Sequence, residues 1–277
     1  MRGLLASPLG FLIGLSLGAL GGGGSILAVP ALVYAAGQDP KGATTTSLVL
    51  VTVTALIGII PHWRAGRVRF AAGALFGLAG VGGSLLGSHW NSAVDPDVLL
   101  LAFSGLMLVA AYAMWRRLGP DPTTVPAADP APRSAGAAAN VDTTVAHTHV
   151  RIDAATVVKV VVAGSFVGLL TGFFGVGGGF VIVPALVLAL GFTMSEAVGT
   201  SLLVIAVNST VALATRLPSG TVDWAIVVPF TIASLVGVFV GSRIASTRDP
   251  RFLQKWFIAF LVVIAGYTAI SSIVALA

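Results

Sequence analysis

Charged residues fall in short clusters that separate eight long uncharged runs: residues 3–38, 42–61, 70–89, 98–115, 160–195, 197–215, 224–242 and 256–277. A helix needs about 20 apolar residues to cross the hydrocarbon core, so six of these runs predict single transmembrane helices. The first and fifth are longer, 36 residues each. As straight helices they would measure roughly 54 Å against a core of about 30 Å. Each also holds a glycine knot, GALGGGGSILAVPAL over Gly18–Leu32 and GFFGVGGGFVIVPAL over Gly172–Leu186. Glycine costs about 1 kcal/mol relative to alanine inside a helix, and a proline follows each knot, Pro30 and Pro184. The pattern predicts first and fifth segments that are broken or re-entrant.

Residues 119–150 break the apolar pattern: they are rich in Pro, Ala and small polar residues and hold almost no bulky apolar side chain. Such a stretch cannot bury enough surface to fold alone. It predicts a disordered linker, residues 118–153, between a first repeat of residues 1–117 and a second of residues 154–277. The two halves align without a gap at an offset of 154. Gly14, Gly18, Gly21, Gly24, Pro30 and Leu32 meet Gly168, Gly172, Gly175, Gly178, Pro184 and Leu186, and Thr46, Ser47, Gly66, Phe76, Gly83 and Asp95 meet Thr200, Ser201, Gly220, Phe230, Gly237 and Asp249. The register holds in loops as well as spans, so the expected fold is an all-α integral membrane protein of two homologous four-segment repeats.

Charge bears on how the repeats face, because Lys and Arg collect in cytoplasmic loops. If every run crosses once, ten basic residues fall on one side and Lys41, Arg243, Arg248, Arg251 and Lys255 on the other. If the first and fifth runs enter and return on one side, twelve fall together and only Arg2, Lys41 and Arg216 lie opposite. The sharper split favours the second arrangement, in which the halves are inverted repeats.

Composition narrows the class. The chain of 277 residues is 56% hydrophobic and 9% charged, with a mean hydropathy of +0.99, against roughly 25% charged residues in soluble domains. The net charge of +5 belongs to loops, so it reads as an orientation signal and gives no nucleic-acid face. With no cysteine there is no disulfide, iron–sulfur or thiol chemistry. The apolar N-terminal run continues well past the length of a signal peptide, so it is expected to belong to the mature chain.

The candidate chemistry sits at the knots. A helix broken within the bilayer must be buried in protein or line a watery cavity. Its exposed N–H groups and positive dipole end then form a ready anion site. Gly23, Gly24 and Ser25 in the first knot and Gly177, Gly178 and Gly179 in the second are the candidate backbone ligands. Thr46, Ser47, Thr200, Ser201 and Asn208 are the candidate side chains, able to hydrogen-bond a ligand without fixed charge. Two plainer readings stand beside these: the glycines permit tight helix packing, and the hydroxyls satisfy local carbonyls. No Asp, Glu, Lys or Arg lies inside any run, which argues against a carboxylate proton relay. Arg64, Arg67, Arg69 and Trp63, like Arg243–Lys255 with Trp256, read as interfacial anchors. His62 and Arg216, and His89 and Arg243, occupy matched positions; they are candidates to flank an entry path and are not taken as ligands. His147 and His149 lack further ligands at metal spacing, no βαβ pattern surrounds the glycines to make a nucleotide site, and no catalytic constellation is present. Neither a cofactor nor an enzyme is expected.

GVGGGFVIVPAL at Gly175–Leu186 and its variant GGGGSILAVPAL at Gly21–Leu32 resemble the twin motif of the TauE/SafE family of sulfite exporter-like transporters. EAVGTSLLVIAVNS and KGATTTSLVLVTVTA resemble the second helices of that family's repeats, and the likeness runs from about Leu9 to Ala277. The first repeat departs from the pattern, with Gly22 and Ser25 where the second has Val176 and Gly179. The resemblance implies secondary transport of a small sulfur-containing anion (sulfite, sulfoacetate, thiosulfate or a related sulfonate) across the bacterial inner membrane. Carriage of other organic anions and a passive anion channel are the alternatives. The expected partners are the anion and the lipid bilayer, with no nucleic acid, and small-residue faces are compatible with a homodimer.

Overall fold

Without water to pair the backbone, a chain in the hydrocarbon region satisfies its N–H and C=O groups within a helix. A computed structural model describes residues 2–22, 24, 28, 32, 37, 40–91, 96–118, 154–174, 179–216 and 224–276. Among the described residues there are nine α-helices and no strand. They are α1 Arg2–Leu20, α2 Pro40–Arg64, α3 Phe70–Asn91, α4 Pro96–Arg116, α5 Ala154–Phe174, α6 Gly179–Leu190, α7 Met194–Arg216, α8 Trp224–Thr247 and α9 Pro250–Leu276. Six of them (α2, α3, α5, α7, α8 and α9) contain apolar stretches of at least 18 residues, long enough to cross a membrane. The protein is a multi-pass membrane protein. Residues 119–153 of the linker and Gly23, Ser25, Gly177 and Gly178 lie outside the described residues.

The fifth uncharged run carries two described helices, α5 and the 12-residue α6. Their relative direction follows from contacts. Gly73 of α3 faces Thr200 and Leu203, Gly77 faces Val204 and Val207, and Gly80 faces Asn208, so α3 and α7 run parallel. Gly164, Gly168 and Gly172 meet Phe76, Gly80 and Ser84 in order, so α5 is parallel to both. Residues 191–193 turn α6 back into α7, with Gly191 at φ +69°, so α6 opposes α7 and hence α5. The start of α5 and the end of α6 lie at the same end of the molecule.

Helices of one half interlock with those of the other. Gly10, Gly14 and Gly18 of α1 meet Phe230, Ser234 and Val238 of α8 in the same order in which Gly164, Gly168 and Gly172 meet α3. A Cβ on Gly14 would overlap the Ser234 backbone, and one on Gly168 would overlap Gly80. Only glycine allows backbones this close, which is how membrane helices gain packing where lipid offers no hydrophobic driving force. Each contact of one crossing lies 154 residues from its counterpart in the other. The buried aromatics keep the same interval: Phe76 with Phe230, and Phe103 with Phe257.

The outer surface is apolar, with Leu78, Leu85, Val109, Val263 and Ile270 all well exposed, as a lipid-facing shell requires. At one end, the Arg67 guanidinium donates to the carbonyls of Ala245 (3.3 Å) and Ser246 (3.4 Å) at the end of α8. The Arg64–Arg69 and Arg243–Lys255 clusters therefore share an end, whereas eight single crossings would place them on opposite sides.

Candidate functional site

α1 ends where its glycines begin. Gly21 adopts φ +73°, the left-handed conformation that closes helices and that glycine takes without strain. A Cβ there would run into the Ser201 hydroxyl and stand 3.1 Å from Val183 and 3.3 Å from Val198. Gly22 lies against the backbone of Gly179, whose carbonyl a Cβ would overlap. Gly24 returns onto α1, against the Ile13 carbonyl and 2.8 Å from the Leu17 nitrogen by the same measure. The first break thus closes onto the start of α6 and the early turns of α7, both from the opposite half.

α6 is buried over Gly179–Pro184 and at Leu186 and Val187, as its apolar sequence on all faces requires. Phe180 packs edge-on to Phe103, ring centroids 4.9 Å apart, and Arg117 donates to the Val187 carbonyl at 3.1 Å near the other end. The first four N–H groups of a helix have no partner within it. The described part of α6 begins at Gly179, whose carbonyl side Gly22 meets. Pro184 has no N–H to give the Phe180 carbonyl, so the first turn is loosely bonded along its own axis.

The candidate side chains do not all converge here. Ser201 faces Gly21 and donates to the Val198 carbonyl at 2.8 Å. Thr200, fully buried, accepts the Arg69 backbone N–H at 3.1 Å. Asn208, two turns further along α7, lies beside Gly80, and its Oδ1 is buried with no partner. Thr46 and Ser47 are buried on α2, and Thr46 Oγ1 also has no partner. α2 and α7 are antiparallel, since Gly58 meets Leu202 and His62 meets Gly199. Thr46 is 12 residues before Gly58, or about 18 Å along the helix. The Thr46–Ser47 pair therefore lies far along the axis from the Thr200–Ser201 pair, and Asn208 lies between these levels.

Three groups beside the break were not among the candidate ligands. His62 is 2% exposed, with Nε2 3.3 Å from the Gly18 carbonyl oxygen. Arg69 holds Glu196 with Nη2–Oε1 2.6 Å and Nε–Oε1 3.0 Å, tying the α2–α3 loop to the first turn of α7. Thr193 and Glu196 cap α7 reciprocally: Glu196 Oε2 accepts from the Thr193 N–H at 3.1 Å and Thr193 Oγ1 accepts from the Glu196 N–H at 3.3 Å. Thr-Met-Ser-Glu is a capping box, the signal that could have located Glu196. Among the described residues no cluster of His, Asp and Glu could hold a metal ion.

Residues 6–268 match the family model described as sulfite exporter TauE/SafE. A "Probable membrane transporter protein" of Xylella fastidiosa (strain 9a5c) is 32% identical over 265 residues, covering 93% of this chain and 91% of the relative. The similarly described YdhB of Bacillus subtilis (strain 168) is 26% identical over 259 residues, covering 92% and 95%. No solved structure matches significantly.

Proposed function

The chain belongs to the sulfite exporter TauE/SafE family, and from that membership we propose a secondary transporter that moves a small sulfur-containing anion, such as sulfite, thiosulfate or sulfoacetate, across the bacterial inner membrane. The anion is held where the break after α1 meets the start of α6, by backbone N–H groups of the two knots with Ser201 and Thr200 beside them. The observation that carries this reading is the approach of Gly22 to Gly179 with Ser201 against Gly21. It brings together glycine backbone, a helix N-terminus and a hydroxyl inside a protein core, a combination suited to a desolvated anion.

In this reading the halves are inverted repeats, with residues 118–153 as a linker. The 154-residue interval between the two glycine crossings supports it, and so does the shared end of the two arginine clusters. Alternating access follows from one set of helices rocking against the other around the break. Labelled sulfite, thiosulfate and sulfoacetate should enter proteoliposomes saturably and show counterflow, and Thr200→Ala and Asn208→Ala should each lower the rate about tenfold. Unsaturable flux without counterflow would mean a channel, and absence of flux for every sulfur anion would end the substrate assignment.

A further inference from the structure

On the premise that an anion binds at the Gly21–Gly22 break, we propose that His62 is a proton-binding residue, protonated when the anion binds and deprotonated when it leaves. His62 lies on α2 with 2% of its surface exposed, against Gly199 of α7 and Gly18 of α1. A carbonyl only accepts, so the contact with Gly18 makes Nε2 the N–H of the neutral ring and leaves Nδ1 a bare acceptor. Nδ1 is buried and has no partner. Leaving such an atom unpaired costs about 1–3 kcal/mol. A histidine kept there at that cost, next to the end of the broken segment, is explained by a second proton that comes and goes.

The charges around His62 make that proton dependent on the anion. Burying a cation is costly without a counter-charge. The charged group facing His62 is Arg67, of the same sign. Glu196, the acid of α7's first turn, is engaged by Arg69. Arg64 on its own helix and Arg243 on α8 are exposed, and α1 offers no titratable side chain over residues 8–20. The missing negative charge is the transported anion, four residues further on from Gly18 at Gly22. Loading transfers one proton from hydronium to the Nδ1 lone pair, forming an N–H bond while Nε2–H keeps its bond to Gly18, and release breaks that N–H bond and returns the proton to water. Linkage requires reciprocity: acid pH tightens anion binding to the same degree that the anion favours protonation.

Proteoliposomes with an internal pH dye and labelled thiosulfate, a strong-acid anion that carries no proton near neutrality, provide the test. Wild-type protein is expected to move thiosulfate faster by about tenfold at pH 6 than at pH 8, with proton entry recorded by the dye. His62→Gln, which cannot take the proton, should move thiosulfate at about the wild-type pH 8 rate at both pH values, with proton entry at the leak rate. His62→Gln moving protons like wild type would overturn the inference. Wild-type protein moving no thiosulfate, sulfite or sulfoacetate would instead overturn the transport reading beneath it. If His62→Gln does not fold, histidine-selective NMR of the wild type decides: a His62 signal that moves toward the imidazolium on adding thiosulfate at fixed pH supports the proposal, and an unmoved signal overturns it.

Discussion

The crossing of α1 on α8 and that of α3 on α5 are built alike, yet they treat polarity differently. In the first, Gly14 meets Ser234, whose buried hydroxyl donates to the Gly10 carbonyl at 2.8 Å. In the second, Gly168 meets Gly80, which has no side chain to offer. The place of the Ser234–Gly10 pair is taken by Asn208, reaching in from α7 beside Gly80 and the Gly164 carbonyl. The first crossing satisfies its polar group within itself. The second has only the longer Ser165 Oγ to Ala79 carbonyl bond of its own, at 3.5 Å, and admits beside it an amide from a third helix whose oxygen is unpaired. The second crossing touches, at Asn208, the helix α7 that carries Thr200 and Ser201; the first reaches the proposed anion site through the far end of α1, where Gly18 contacts His62, eight residues or about 12 Å beyond the Ser234–Gly10 bond.

The likeness of the crossings is broken most severely by bulk. Gly14→Val and Gly168→Val each drive a side chain into backbone that cannot move aside, and overpacking of this kind costs about 3 kcal/mol or more. Both variants should lose the monodisperse peak in detergent size-exclusion chromatography. If either is tolerated at wild-type yield, the two crossings are not equivalent supports.

The unlikeness is sharpened by Asn208→Ala. It removes a buried acceptor that has no partner, so little stability is lost with it; the melting temperature should stay within about 2 °C of wild type while anion flux falls about tenfold. A large drop in melting temperature would make Asn208 a structural amide and not part of the transport path.

The sequence made the helices legible because lipid leaves few alternatives: each uncharged run carries a helix, and the run over residues 160–195 carries two, α5 and α6. The recurrence at 154 residues was also legible, since matched glycines mark where backbones approach. It could not disclose the partners. Glycine spacing on α1 fits any small-residue face, and the choice of α8 over the other helices depends on shape across more than 200 residues of chain. Arg69 read as an interfacial anchor and Glu196 only as the start of the EAVGTSLLVIAVNS stretch, because each stands just outside an uncharged run, and only folding brings them to 2.6 Å. His62 read as flanking an entry path for a similar reason: it is the next residue after an uncharged run, and only the packing of α1 and α7 reveals how deeply it is buried.

Ser234→Ala tests the self-contained crossing. Loss of one buried hydrogen bond leaves the Gly10 carbonyl still bonded along α1, so the expected cost is about 1 kcal/mol. Thermal unfolding should register that cost with counterflow unchanged. Lost flux without lost stability would mean that the first crossing also belongs to the transport path.

The smallest effect is expected from Gly80→Ser, which gives the second crossing the residue of the first. A Cβ at Gly80 would stand 3.5 Å from the Gly164 carbonyl oxygen and 3.6 Å from Asn208 Nδ2, ordinary contact that needs no backbone shift. Serine is somewhat better than glycine inside a helix, and its hydroxyl can bond the Gly164 carbonyl as Ser234 bonds Gly10. Stability should therefore change by less than about 1 kcal/mol. Flux should fall modestly, about twofold to threefold, because the new hydroxyl competes with Asn208 for its place and loosens α7 from the crossing. Gly80→Ala adds the same Cβ without the hydroxyl and separates the causes. If alanine lowers flux as much as serine, crowding at Gly80 is responsible; if only serine does, the polar difference between the crossings is what couples one of them to the anion site.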